Sequence, residues 1–157
     1  MMSSVIREGR AKGIFVALGD NGVRRRLTEQ ARTLGYEVVR AISPRAVVSP
    51  FASVGQGTAI MPGAIINACA RVGEGCIINT NASVDHDDVI GDYCHIAPGV
   101  TLCGYVTVGG RSFIGAGARV IDRITIGEDV ILGAGAVAVR DIPSCVTAIG
   151  VPARVKL

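Results

Sequence analysis

The chain holds two histidines, His86 and His95, and both lie in one acidic stretch, Asn81 to His95, with Asp85, Asp87, Asp88 and Asp92. An imidazole has an ordinary pKa near 6.5, and neighbouring carboxylates raise its basicity, so a histidine at an exposed corner here is a candidate general base. A lone surface histidine is inert, and the groups brought beside it decide between the two readings. The five cysteines, Cys69, Cys76, Cys94, Cys103 and Cys145, form no CxxC pair and have spacings that zinc sites do not use. No metal is expected.

The elements that must position these residues are written in a six-residue rhythm. From Ile42 an aliphatic residue recurs every sixth position without a slip, through Val48, Val54, Ile60, Ile66, Val72, Ile78, Val84, Ile90, Ile96, Leu102, Val108, Ile114, Val120 and Ile126 to Leu132. Four residues after most of these sits a small side chain, such as Ala52, Ala64, Ala70, Cys76 or Ala82, and Gly often follows the aliphatic directly. This grammar predicts an all-β solenoid with three short strands per coil, the aliphatics inward and the corners turned between them. Val48 to Val137 carries no insertion and divides into about five coils of eighteen, with a closing strand and tail from Ala138 to Leu157.

Coils of eighteen turn the sequence into a contact map, because residues eighteen apart stack roughly 4.8 Å from one another. Gly104 should lie over His86, where a glycine either offers its backbone N–H to an oxyanion beside the base or simply turns a corner. Cys76 and Cys94 become vertical neighbours, expected as buried reduced thiols. Asp88 takes a slot that elsewhere holds a small inward residue. A buried carboxylate without partners costs several kcal/mol, so either Asp88 is partnered or the wall opens to solvent there.

Residues 1–47 read differently, as a partial β-α-β segment preceding a β-helix domain over 48–157. A strand pattern, Gly13 to Leu18, is followed by turn chemistry at Gly19-Asp20-Asn21-Gly22, then by a helix over Val23 to Leu34 with Val23, Leu27, Ala31 and Leu34 on its apolar face. Tyr36 to Ile42 returns as a strand. One such unit is too little for a complete nucleotide-binding domain and suits a cap on the solenoid's open end. Residues 1–53 hold nine Lys/Arg against four Asp/Glu, and residues 54–137 hold four against eight. The run Arg24-Arg25-Arg26 is read as a solvated helix face, since no aromatic or RNA-binding signature accompanies it and nucleic acid is not expected. Met1 to Lys12 lacks the apolar core of a signal peptide, and no apolar stretch of membrane-spanning length occurs, so a cytoplasmic location is expected.

Four blocks then carry a resemblance: Phe15-Val16-Ala17-Leu18-Gly19-Asp20-Asn21, Ile42-Ser43-Pro44-Arg45-Ala46, His86 through Pro98, and Gly150-Val151-Pro152-Ala153-Arg154. Together they resemble the sugar O- and N-acetyltransferase branch of the hexapeptide-repeat family, which includes sialic-acid O-acetyltransferases and UDP-4-amino-sugar N-acetyltransferases of bacterial glycan synthesis. The resemblance implies a left-handed parallel β-helix, acetyl-CoA as co-substrate, a (nucleotide-linked) sugar acceptor and a homotrimer with the cofactor in grooves between solenoids. It implies His86 as general base, Asp87 tuning it, the Gly104 N–H on the thioester carbonyl, His95 nearby in the site as a substrate contact, and a cofactor track along Gly115, Ala116, Gly133 and Ala134. Family members usually begin with a full nucleotide-sugar-binding domain, of which this chain keeps the last β-α-β unit, and this leaves the acceptor open. A non-catalytic trimeric scaffold is the alternative. A carbonic-anhydrase-like zinc site would need three histidines where two exist.

Overall fold

The structure, a computed structural model, describes residues 12–156. The leader reading of Met1 to Lys12 therefore falls almost wholly outside the described residues.

The hexad rhythm folds as a parallel β-solenoid with three walls of two-residue strands. Wall 1 begins at Ala41–Ile42, wall 2 at Val47–Val48 and wall 3 at Ser53–Val54. From Ala41–Ile42 to Arg119–Val120 each solenoid strand pairs in parallel with the strand eighteen residues on, as in Ser83 opposite Thr101 and His95 opposite Phe113, while Ile131 pairs with Thr147, sixteen on. The second residue of each strand points inward, and Ile60, Ile66, Ile78, Val84, Ile96, Ile114 and Leu132 form one continuous buried column of aliphatic layers. About 25 cal/mol per Å² of apolar surface removed from water holds this stack together.

The solenoid is longer than the five coils counted from sequence, at about six turns. Ala41–Ile42 already pairs with Ala59–Ile60, so the first coil starts ahead of residue 48. At the far end Thr147–Ile149 adds to wall 1 opposite Ile131–Leu132, and an antiparallel strand, Arg154–Val155, covers its edge. Open sheet edges invite further pairing, and such a cover blunts one.

Ahead of the solenoid, β1 (Gly13–Ile14) pairs in parallel with β2 (Glu37–Val38), connected through α1 (Asn21–Thr33). Asp20 caps α1, its carboxylate accepting the Val23 N–H at 2.7 Å, and Gly35 ends it in the left-handed region at φ 84°. Two expectations fail here. The helix face turned inward is Arg24, Thr28 and Ala31, while Leu34 is exposed. Arg24, read as part of a solvated run, is buried.

The reason is the backbone it meets. Corners between walls 3 and 1 present outward carbonyls, and the Arg24 guanidinium donates to Gly75 O at 2.6 Å, Tyr93 O at 3.1 Å and Cys94 O at 3.3 Å, as well as to Leu18 O and Gly19 O. Asn21 Nδ2 donates to Arg111 O and Ser112 O one coil further along. The described part of the N-terminal unit thus clasps one edge of the solenoid across several coils.

Candidate active site

His86 and Gly104 lie on the corner between walls 2 and 3, in successive coils. A Cβ built on Gly104 would sit 2.7 Å from both Cε1 and Nε2 of His86, closer than real Cβ atoms approach. Gly104 is not in the left-handed region; the positive φ of this corner belongs to Tyr105, at 62°. Close approach to the imidazole is therefore what requires glycine, and corner-turning does not. Among the described residues the Gly104 N–H has no hydrogen-bond acceptor, as is also true at Ala68 and Asp122 in this column. It is a free donor beside a histidine.

The imidazole is held on two sides. Its Nδ1 lies 2.9 Å from Asp87 Oδ2; Nδ1–H donates to the carboxylate, which leaves Nε2 as the free basic nitrogen, on the side of Gly104. Tyr105 meets the ring edge-on, centroids 5.2 Å apart, and the Arg123 guanidinium lies 5.3 Å from the Tyr105 ring centroid. The hydrogen bond that His86 donates to Asp87 raises the His86 pKa above 6.5, helped by the charges of Asp85, Asp87 and Asp88. One residue before, Asp85 Oδ1 accepts the His86 N–H at 2.7 Å and Asn67 Nδ2–H at 2.8 Å, which fixes the backbone under the imidazole.

Asp88 proves to be partnered: fully buried, it accepts the Asp85 N–H and the Val106 N–H. Burial pushes its pKa up to about 7 against the pull of those two hydrogen bonds. Cys76 and Cys94 are buried free thiols, donating to Gly91 O and Gly109 O at 3.1 Å each. They belong to a column with Thr58 and Ser112 that ties carbonyls at the corner of walls 3 and 1.

His95 is not beside His86 within one chain. It opens a strand of wall 1, the wall opposite the corner that carries His86. There its Nε2 accepts from Asn79 Nδ2 at 3.1 Å, its ring meets Phe113 edge-on, and it lines a cavity of about 270 Å³ with Phe15, Leu18, Met61 and Asn79. Burial lowers its pKa, followed by repulsion from the Arg24 guanidinium. Gly115, Ala116, Gly133 and Ala134 line the corner between walls 1 and 2, in the column of Asn79 and Thr80. Gly115 is also required by packing, because a Cβ there would sit 2.6 Å from Ala134 N. The expected site residues thus form two groups: His86 and the Gly104 amide on one corner, His95 and the glycine column on and beside the opposite wall.

Sequence reasoning missed Asn67, Asn79, Asp85 and Tyr105. Coil arithmetic would have found Asn67, which lies eighteen before Asp85, and Tyr105, which stacks on Asp87.

An imidazole whose Nδ1 is held by a carboxylate, with a bare glycine amide one coil above, pairs the two kinds of group that acyl transfer uses, a proton acceptor and an oxyanion donor. Neither protein-family models nor curated proteins match the chain, but solved structures do. PerB from Caulobacter crescentus, in complex with CoA and GDP-perosamine, is 51% identical over 98% of this chain and 74% of its own, with a TM-score of 0.95. The acetyltransferase domain of PglB from Neisseria gonorrhoeae is 40% identical over 98% of this chain and 77% of its own, TM-score 0.92. WeeI from Acinetobacter baumannii is 28% identical over 94% and 72%, TM-score 0.90. The chain belongs to the hexapeptide-repeat sugar acetyltransferases, acyl-CoA-dependent enzymes built on a left-handed parallel β-helix.

Proposed function

We propose that this enzyme transfers the acetyl group of acetyl-CoA to the amino group of a nucleotide-linked amino sugar, with His86 as general base. The observation that carries this reading is the placement of Gly104, whose N–H has no acceptor among the described residues, against the imidazole whose Nδ1 is engaged by Asp87. The acceptor amine attacks the thioester carbonyl while His86 Nε2 removes its proton. The Gly104 N–H stabilises the developing oxyanion, and collapse expels the CoA thiolate, which takes the proton back from the imidazolium. Binding of CoA and GDP-perosamine by PerB, and of acetyl-CoA by the PglB domain, supports the choice of substrates. Structures of perosamine N-acetyltransferase with a histidine replaced by asparagine or alanine also contain CoA and GDP-perosamine.

The two groups of site residues are completed by assembly. In a homotrimer the corner bearing His86 of one subunit faces the Asn79–His95 side of the next, and CoA runs along Gly115, Ala116, Gly133 and Ala134 between them. Outward apolar residues on wall 2, Val47 and Ile65, favour such packing. Among the described residues no helix is long and apolar enough to cross a membrane, and we place the reaction in the cytoplasm, in the synthesis of a bacterial glycan.

The test is thiol release from acetyl-CoA against a panel of GDP-, UDP- and dTDP-linked 4-amino sugars and free sialic acids, with products weighed by mass spectrometry. An N-acetylated nucleotide sugar is expected; acetylation of a hydroxyl alone, or none, would overturn the reading. Light scattering in solution should give a mass three times that of the chain.

A further inference from the structure

Asp88 is 0% exposed, in a corner slot that the two preceding coils fill with Ala70 and Ala52. Around it, this corner follows a regular bonding scheme. The amide that opens the corner continues the ladder to the next coil: Asn67 N–H donates to Val84 O, and Cys103 N–H to Val120 O, both at 3.0 Å. In the first two coils the amide of the small residue folds back across the turn, Ala52 N–H to Ser49 O at 3.0 Å and Ala70 N–H to Asn67 O at 3.4 Å.

Both patterns break at Asp88. The Asp85 N–H leaves the ladder and donates to Asp88 Oδ2 at 2.9 Å, and the Val106 N–H donates to Asp88 Oδ1 at 2.8 Å in place of the turn carbonyl, Cys103 O. The two diverted amides belong to the two segments that matter: Asp85 to Asp88 carries His86, and Cys103 to Val106 carries Gly104. One carboxylate bridges them.

Tying one coil to the next does not need an acid. At the neighbouring corner single hydroxyls do it: Thr58 Oγ accepts the Cys76 N–H and Ser112 Oγ accepts the Val130 N–H, both at 3.0 Å. The ladder beneath them stays intact, with Gly55 N–H on Val72 O and Gly109 N–H on Ile126 O. What the second carboxylate oxygen adds is the removal of Asp85 from its ladder, immediately before the base. A buried acid is a costly way to close a coil that alanine closes elsewhere in this chain, and local rules broken beside a site belong to the site.

We propose that Asp88 is a positioning residue for acetyl transfer, setting the spacing of the His86 imidazole from the Gly104 N–H by holding both corners in a bonding pattern the regular coil does not adopt. This rests on the reading of His86 as the base.

The experiment compares Asp88→Ala, Asp88→Ser and His86→Ala with wild type in steady-state transfer from acetyl-CoA to GDP-perosamine, or to whichever sugar of the panel the wild type acetylates fastest. Melting temperatures and a crystal structure of Asp88→Ala accompany it. In Asp88→Ala the coil closes as at Ala70: the Asp85 N–H returns to Leu102 O and the melting temperature holds or rises. The kcat falls on the order of 10²-fold, the scale of a misplacement near 1 Å, with KM for acetyl-CoA unchanged. Asp88→Ser, keeping one acceptor oxygen, lies between. Wild-type kcat in Asp88→Ala, with His86→Ala inactive, overturns the positioning role alone. A kcat loss that only follows a loss of folded protein overturns it too. Full activity in His86→Ala would instead overturn the reading beneath.

Discussion

Replacing Gly104 by alanine separates the position of the base from the stability of the fold. The new Cβ would begin 2.7 Å from His86 Cε1 and Nε2, and ordinary contact begins at 3.4 Å, so the ring must retreat by about 0.7 Å. The obstacle is a half-exposed side chain rather than backbone, and Gly104 is not in the left-handed region, so the fold accepts the methyl. Gly→Ala at a compatible position stabilises by about 0.4–1 kcal/mol through the unfolded chain. The retreat, however, pulls Nε2 off its line with the acceptor and strains the Asp87 and Tyr105 contacts. Misplacement on this scale costs on the order of 10- to 10²-fold in kcat. The backbone N–H survives the substitution, so the loss reports the base. Thiol-release kinetics and thermal melts on the same preparation are the assay. Unchanged kcat, or a fall in melting temperature that accounts for the lost rate, would refute the stacking of base on glycine as the working geometry.

Asp87→Asn should shift the acid limb of kcat/KM to lower pH. The base works deprotonated, and Asp87 is the leading cause of its raised pKa, so wild-type activity falls off at a pH above the ordinary imidazole value of 6.5; a limb that stays put would contradict this. Arg24→Ala removes a buried guanidinium that satisfies five backbone carbonyls, at a cost of about 3 kcal/mol or more. Hydrogen exchange should locate the damage in α1 and the Leu18–Gly19 segment, with solenoid amides protected as before. Asp88 contributes stability that is present below its ordinary pKa of 3.8 and lost as pH rises towards about 7. The melting advantage of Asp88→Ala over wild type should therefore be larger at pH 8 than at pH 5, and the reverse order would show that the carboxylate is not penalised by burial.

The solenoid was legible because a repeat makes one local rule do the work of a contact map. Eighteen-residue stacking puts Gly104 over His86 and marks Asp88 as an anomaly from the sequence alone. The N-terminal unit has no repeat, and its docking depends on side chains reaching backbone carbonyls, as Arg24 does to Gly75 and Tyr93. Charge runs read as solvated faces unless the partner carbonyls are known, so the burial of Arg24 and the side-on clasp could not be seen in the pattern. The distance of His95 from His86 has a different reason. The resemblance put both histidines in one site, and nine residues along a three-walled coil carry His95 to the wall opposite the His86 corner, so within one chain the two stand apart. Tyr105 escaped notice because an aromatic at an exposed corner carries no periodic signal, although its place above Asp87 follows from the same arithmetic.

The most direct test of the central claim is the rate of transfer from acetyl-CoA to the preferred nucleotide-linked amino sugar by His86→Ala beside wild type, at saturating substrates and with acetyl-CoA affinity measured by calorimetry. The expected result is a kcat lower by about 10²–10⁴-fold with cofactor affinity retained. Wild-type turnover without the imidazole would contradict it.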